Sequence, residues 1–159
     1  MEEKVDNPYK APEAQVEAPA TGELNQVFDR FTAWGVFGLS IITLGIYSVY
    51  WLYKRTQRVN DRTNSNISSA FVNATLVVYT ISLLSNLGEL VAPELAAVLG
   101  LAALAAWVMM IVWAFKIRAA IHEYVNASKG NYDWANAFLT FFFGALYLQY
   151  KINKIIDNQ

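Results

Sequence analysis

Residues 33–53, AWGVFGLSIITLGIYSVYWLY, form an apolar run without a charged side chain that ends at Lys54 and Arg55. A helix rises about 1.5 Å per residue, so a run of this length can cross the hydrocarbon core of a bilayer, which is roughly 30 Å thick. The stretch therefore predicts a membrane-spanning helix.

Three further apolar runs follow, at residues 70–88, 95–115 and 135–150. The first two are long enough to span a bilayer, and the last is slightly shorter than the usual range of about 17–25 residues. A short connection that contains Pro93 joins the runs 70–88 and 95–115 and predicts a helical hairpin. The sequence therefore predicts an all-α integral membrane protein, a bundle of about four hydrophobic helices within a membrane domain at 27–159.

The composition agrees with a membrane location and narrows the function. The 159-residue chain is 55% hydrophobic and only 16% charged, whereas ordinary soluble domains have about 25% charged residues. Its formal net charge of −1 provides no basic surface for nucleic acid. Residues 1–26 are acidic and rich in Pro and Ala, a composition that predicts a disordered N-terminal tail.

The distribution of lysine and arginine leaves two topologies open. If all four runs span, which run length favours, the basic loops 54–69 and 116–134 are cytoplasmic by the positive-inside rule and both termini lie outside. If only 70–88 and 95–115 span, and the other two runs are re-entrant or interfacial, every basic residue is cytoplasmic. This second arrangement requires a backbone break near Thr43-Leu44-Gly45 that is buried against protein.

An aromatic and basic cluster follows the first run. Tyr47, Tyr50, Trp51 and Lys54 recur at i, i+3, i+4 and i+7, which is one face of a helix. Such a face is typical of an interfacial anchor, and with the nearby arginines it is also a candidate site for lipid headgroups or a protein partner. A Tyr-x-x-Tyr-Lys pattern recurs near the C-terminus. The candidate face comprises Tyr47, Tyr50, Trp51, Tyr53, Lys54, Arg55, Arg58, Arg62, Tyr147, Gln149, Tyr150 and Lys151.

Candidate helix-packing residues lie in the second and third runs. Asn73, Thr80 and also Ser85 can form hydrogen bonds between helices, and a stripe of small residues lets a neighbouring backbone approach closely: Ala96, Gly100, Ala103 and Ala106. We expect these residues to hold the bundle together rather than to line a transport pathway.

Residues 40–54, SIITLGIYSVYWLYK, resemble a bacterial membrane family labelled domain of unknown function 4234, whose members carry a Thr-Leu-Gly-Ile-Tyr-x-x-Tyr-Trp-x-Tyr-Lys core. Residues 147–156 are similar to the closing Gln-x-x-x-Asn-x-x-Ile element of that family. The resemblance implies a small multi-pass protein of the bacterial cytoplasmic (inner) membrane. The activity of the family is not established, so the resemblance brings no catalytic residues.

Residue types that commonly act as metal ligands or catalytic nucleophiles are scarce. Cysteine is absent and His122 is the single histidine, so the sequence indicates no metal site, no cofactor and no catalytic residue. The apolar runs contain no ionisable Asp, Glu, Lys, Arg or His, which argues against proton-coupled transport. We therefore expect a non-enzymatic protein that acts through membrane lipids, a protein partner or a homo-oligomer. A small oligomeric channel or transporter is the alternative, and a membrane-embedded enzyme is the third hypothesis.

Overall fold

A computed structural model describes residues 22–88 and 96–159. Over these residues the chain is helical and contains no strand, so the all-α prediction is confirmed. A short 3-10 turn at Leu24–Gln26 precedes five α-helices: α1 (Ala33–Ile42), α2 (Ile46–Arg62), α3 (Ser69–Gly88), α4 (Ala96–Tyr124) and α5 (Ala137–Ile156). The predicted turn at 89–94 and most of the predicted disordered tail lie outside the described residues.

The first apolar run is not one helix. It divides at Thr43-Leu44-Gly45, where Leu44 and Gly45 have φ angles of 50° and 91°, far from the helical value of about −63°. The chain turns back here, because the ring centroids of Phe31 and Tyr47 are 6.4 Å apart, whereas a continuous helix would separate these positions by about 24 Å. The single helix predicted over 33–53 is therefore wrong, and the run forms a helical hairpin of α1 and α2.

The polar groups of the turn between α1 and α2 form hydrogen bonds with the adjoining helix ends. Thr43 Oγ1 donates to Leu39 O at 2.7 Å and accepts from Tyr47 N at 2.9 Å, so one side chain bonds both helix ends. Gly45 N donates to Ser40 O at 2.7 Å. The Thr-Leu-Gly sequence therefore supports a sharp turn in which these groups need no water.

The fourth apolar run also breaks. Gly144 within α5 has φ 45° and ψ −120°, which is non-helical and accessible to glycine because it has no β-carbon. Asn136 N donates to Tyr147 Oη at 2.8 Å, and Lys151 Nζ donates to the carbonyl of Tyr132. These contacts bring the second half of α5 back along the loop that precedes the helix. The continuous helix predicted for this run is therefore wrong.

The longest helix is α4, which packs most extensively on α3 as a second hairpin. Over Val98–Tyr124 it is the one helix in the described residues that is long and apolar enough to cross a membrane. It ends where Asn126 adopts a left-handed φ of 52°, a conformation that asparagine tolerates at helix ends.

The core lies where α2, α4 and α5 meet the segment before α1. Trp113 of α4 is fully buried; its Nε1 donates to Thr56 Oγ1 at 2.8 Å, and its ring packs edge-on against Trp51 with centroids 5.5 Å apart. Leu24 and Phe28 are buried in the same core. Because Leu24 lies within the predicted tail of residues 1–26, the packed part of the chain begins before that boundary.

Most of the predicted packing residues lie on the surface of the described chain. A methyl group built on Gly100 would meet no atom within 4 Å, and Ala96 begins α4 with its side chain outside the described part. Ala106 of the predicted stripe is buried, and Thr75 of α3 is buried as well. Four of the predicted packing residues are exposed and do not pack between helices of the described chain: Asn73, Thr80, Gly100 and Ala103.

Replacing Gly45 with alanine is expected to destabilise the fold. The new β-carbon would lie 2.7 Å from Leu83 Cδ2, and alanine would have to adopt φ +91°. Strain of this kind costs about 1–3 kcal/mol, and the free energy of unfolding in mild detergent, followed by tryptophan fluorescence, measures it. The control is Gly38→Ala in α1, where the methyl group meets nothing within 4 Å and helix propensity favours alanine. Equal losses in the two variants would contradict the turn.

Candidate functional site

A polar cavity of about 420 Å³ lies between residues 29–31 and one face of α2. Four residues predicted to share a helical face all line it: Tyr47, Tyr50, Trp51 and Lys54. Arg55 completes this wall. The helical spacing in the sequence therefore corresponds to one surface around a single cavity.

Arg55 is the most unusual residue at this cavity. It is only 6% exposed, whereas arginine is mostly exposed in proteins. Its guanidinium carbon lies 4.9 Å from the ring centroid of Phe28 and 5.4 Å from that of Trp51, as in cation–π contacts. Burial disfavours the charged form and lowers the pKa of Arg55 to about 10. Arg55 therefore remains positively charged at neutral pH.

No carboxylate forms an ion pair with Arg55 within the described part of the chain. The ion pairs there involve Arg30 and Arg58. Arg55 donates one Nη2 hydrogen bond to Gln149 Oε1, while its buried Nη1 has no hydrogen-bond partner among the described residues. Asp29 in the same wall attracts Arg55 at longer range but is itself paired with Arg58, so Arg55 has no carboxylate in direct contact among the described residues.

Two amides of α5 hold Arg55 and the chain before α1 in place. Gln149 is fully buried, and its Nε2 donates to Phe31 O at 3.0 Å and to Asn153 Oδ1 at 2.9 Å. Asn153 Nδ2 donates to the same carbonyl at 2.7 Å. Because Gln149 also accepts from Arg55, this amide pair joins α2, α5 and the start of the first hairpin.

The other predicted basic residues of α2 lie nearer the solvent. Arg58 pairs with Asp29, Arg62 Nη1 donates to Gln26 O at 2.6 Å, and Lys54 is exposed. The contacts of Arg58 and Arg62 hold the N-terminal segment against α2.

The C-terminal Tyr-x-x-Tyr-Lys pattern has different contacts from the first. The Tyr147 hydroxyl bonds the backbone at the start of α5, and Tyr150 is exposed. Lys151 is buried and donates to the carbonyl of Tyr132, and this burial lowers the pKa of Lys151. Lys151 therefore has an intramolecular contact where a headgroup or partner contact was expected.

Two apolar grooves lie on the surface of the helices. One, of about 470 Å³, lies between α1 and α5, includes Phe37 and Tyr150, and shares no described lining residue with the polar cavity. The other, of about 460 Å³, lies between α2 and α3 and includes Tyr53 and Leu83. Tyr50 lines this second groove as well as the polar cavity, so these two spaces meet at its side chain.

The sequence model described as Domain of unknown function (DUF4234) matches residues 31–123. The chain belongs to this family. The DUF4234 match includes the Thr43-Leu44-Gly45 turn, Arg55 and the α3–α4 hairpin. It ends before α5, so it does not cover the C-terminal Gln-x-x-x-Asn element. Comparison with curated proteins and with solved structures gives no significant match.

Sequence reasoning overlooked two residues of this site and did not predict the burial of two others. Asn153 and Phe28 contact the cluster around Arg55 but were not selected. The spacing of Gln149 and Asn153, four apart in a helix, could have indicated that they share a face. Trp51 and Arg55, expected to face lipid headgroups, are both buried.

The groups around this cavity are suited to binding an anion. They combine one buried guanidinium, aromatic rings and neutral amides, which provide charge and orientation. Within residues 22–88 and 96–159 there is no group of three or more His, Cys, Asp or Glu side chains that could hold a metal ion.

Replacing Gln149 with leucine is expected to destabilise the protein strongly. The change leaves the buried Arg55 guanidinium without its acceptor and the Phe31 carbonyl without one donor, and losing a buried hydrogen bond to a charged group costs about 2–4 kcal/mol. Chemical unfolding in detergent measures the loss. Gln57→Leu is the matched control, because Gln57 is exposed and its side chain bonds the Tyr53 hydroxyl four residues away on the same helix; a change within about 0.5 kcal/mol is expected there. Similar losses in both variants would contradict the central role of Gln149.

Proposed function

We propose that this DUF4234 member is a multi-pass protein of the bacterial cytoplasmic membrane that acts, without catalysis, through anionic lipids or a protein partner. In this proposal α3 and α4 cross the bilayer, while the α1–α2 hairpin and the broken α5 enter one leaflet and return. One observation carries the proposal: both broken segments turn back, so the charged side chains collect at one end of the described chain.

The charge distribution supports this arrangement. Arg30 pairs with Asp157, and Ser65 Oγ donates to Glu123 at 3.2 Å, so distant charged stretches meet at one end. By the positive-inside rule that end faces the cytoplasm. Four stretches between them contain no charged side chain: 31–53, 63–88, 96–115 and 134–150.

The exposed apolar residues support insertion of the hairpins into lipid. Trp34 is 80% exposed and Leu44 79%, and such exposure of large apolar side chains is unfavourable in water. The ten residues of α1 span about 15 Å, half of a hydrocarbon core. The turn that follows α1 would lie near the bilayer midplane, where backbone groups must be bonded internally. The bonds of Thr43 and Gly45 meet that requirement.

The same features favour binding over transport. The uncharged stretches lack the ionisable groups on which proton-coupled transporters depend, and the buried charge of Arg55 lies beside a cavity at the polar end. A basic, aromatic surface at the cytoplasmic end attracts anionic lipids or an acidic partner.

Cysteine labelling tests the topology without a competing background, because the native chain has no cysteine. Asn64→Cys, Ser128→Cys and Asn158→Cys introduce thiols at exposed positions. We expect all three to be protected from an impermeant maleimide in intact cells and to react after permeabilisation, because they lie at the cytoplasmic end. Val91→Cys is expected to react from outside. If Asn158→Cys reacts from outside while Asn64→Cys is protected, four spans are present and the proposed topology is overturned.

A flux assay separates a binding protein from a channel. The purified full chain is reconstituted into sealed liposomes that contain potassium and a small fluorescent dye. We expect both to leave no faster than from protein-free liposomes, because the proposal includes no continuous polar path. Release that increases with the amount of protein would contradict the binding role and support an oligomeric channel.

A further inference from the structure

We propose that the polar cavity beside Arg55 binds the phosphate of one anionic phospholipid, and that an acyl chain of this lipid lies in the groove between α2 and α3 that begins at Tyr50. This inference rests on the proposed function, because it requires the helical hairpins to lie in a lipid leaflet.

The first argument is the charge of Arg55. A buried guanidinium without a carboxylate is unfavourable, since its desolvation is not repaid by an opposite charge. Gln149 supplies one acceptor, and Nη1 has none within the described residues. Arg55 lines the adjoining cavity, so a phosphate there would supply the missing negative charge, and arginine binds phosphate in strong charge-assisted pairs.

The second argument is the charge balance of the whole cavity. Its wall includes two carboxylates, of which Asp29 pairs with Arg58 and Asp61 is exposed. The same wall includes four cationic side chains: Arg30, Lys54, Arg55 and Arg58. Arg30 pairs with Asp157 outside the wall, and Lys54 and Arg55 against Asp61 still leave the wall net positive, which favours an anion. Its volume of about 420 Å³ lies within the usual range of small-molecule sites, about 300–1,000 Å³.

The third argument is the apolar groove between α2 and α3. It begins at Tyr50, which also lines the polar cavity, and it extends to Ile46, which follows Gly45 at the hairpin turn. From Arg55 to Ile46, α2 rises about 14 Å, which is close to half of a hydrocarbon core. An apolar groove that begins at a positively charged polar cavity matches an acyl chain and its phosphate headgroup in one leaflet.

Native mass spectrometry of the purified full chain in detergent tests the proposal, with phosphatidylglycerol as the probe and phosphatidylcholine as the zwitterionic comparison. We expect one phosphatidylglycerol per chain, retained more strongly than phosphatidylcholine. Arg55→Gln is expected to weaken this binding by about tenfold or more, because a charge-assisted contact is lost. Arg55→Lys keeps the charge and is expected to restore most of the binding.

The matched control is Arg62→Gln. Arg62 is on the same helix and loses the same charge, but it is exposed and does not line the cavity, so binding equal to that of the native chain is expected. Thr80→Trp tests the groove separately. Thr80 is exposed and lines the groove between α2 and α3, so the larger side chain is expected to obstruct an acyl chain and weaken binding severalfold without changing Arg55.

The outcomes are distinct. Native-like binding by folded Arg55→Gln overturns the proposal, and so does equal weakening by Arg62→Gln. If Arg55→Gln does not fold, native-like binding by Thr80→Trp overturns it. Displacement of the lipid by millimolar inorganic phosphate would show a site for free phosphate rather than for a lipid. The cysteine labelling distinguishes failure of this inference from failure of the proposed function. If labelling supports the two-span topology but no lipid is retained, this inference alone is overturned. If labelling shows four spans, the proposed function is overturned.

Discussion

Arg55 and Gln149 form a buried hydrogen bond between α2 and α5, across 94 positions of sequence, and both broken apolar segments depend on it. Gln149 and Asn153 also bond the carbonyl of Phe31, which fixes where the chain begins α1. A cluster of this kind is favourable only when its members are present together, because each partner satisfies a group that would otherwise be buried alone. The first hairpin and α5 therefore depend on each other for their positions.

The Thr43-Leu44-Gly45 turn is the second constraint, and it changes how the first apolar run should be understood. Length and hydropathy describe the run as one spanning helix, but Gly45 takes a left-handed backbone conformation and Thr43 bonds both helix ends. A segment with the composition of a membrane span can thus be two short helices. The Thr-Leu-Gly sequence therefore has a physical role in the chain that is independent of any activity. The DUF4234 match covers this turn.

Much of the fold could be predicted from the sequence, since apolar runs and their periodicity identified the helical regions and the α3–α4 hairpin. The break after Ile42 was foreseen only as an alternative, because hydropathy does not report backbone dihedral angles. At the site, the i, i+3, i+4, i+7 spacing correctly grouped Tyr47 and Tyr50 around one cavity. It could not show that Arg55 is buried, since that depends on Gln149 and Phe28, which are distant in sequence and reach Arg55 only after the chain has folded.

The half-depth hairpins have a mechanical consequence. A chain inserted as proposed places α1, α2 and α5 in one leaflet only, whereas α3 and α4 pass through both. Its cross-section is then larger on the cytoplasmic side than on the opposite side, so the protein has the shape of a wedge. Lipids around a wedge relax by tilting, and many copies together would favour a bilayer that bulges toward the leaflet containing the hairpins. The two glycine-containing turns would in this way couple the backbone of a small protein to the curvature of the membrane around it.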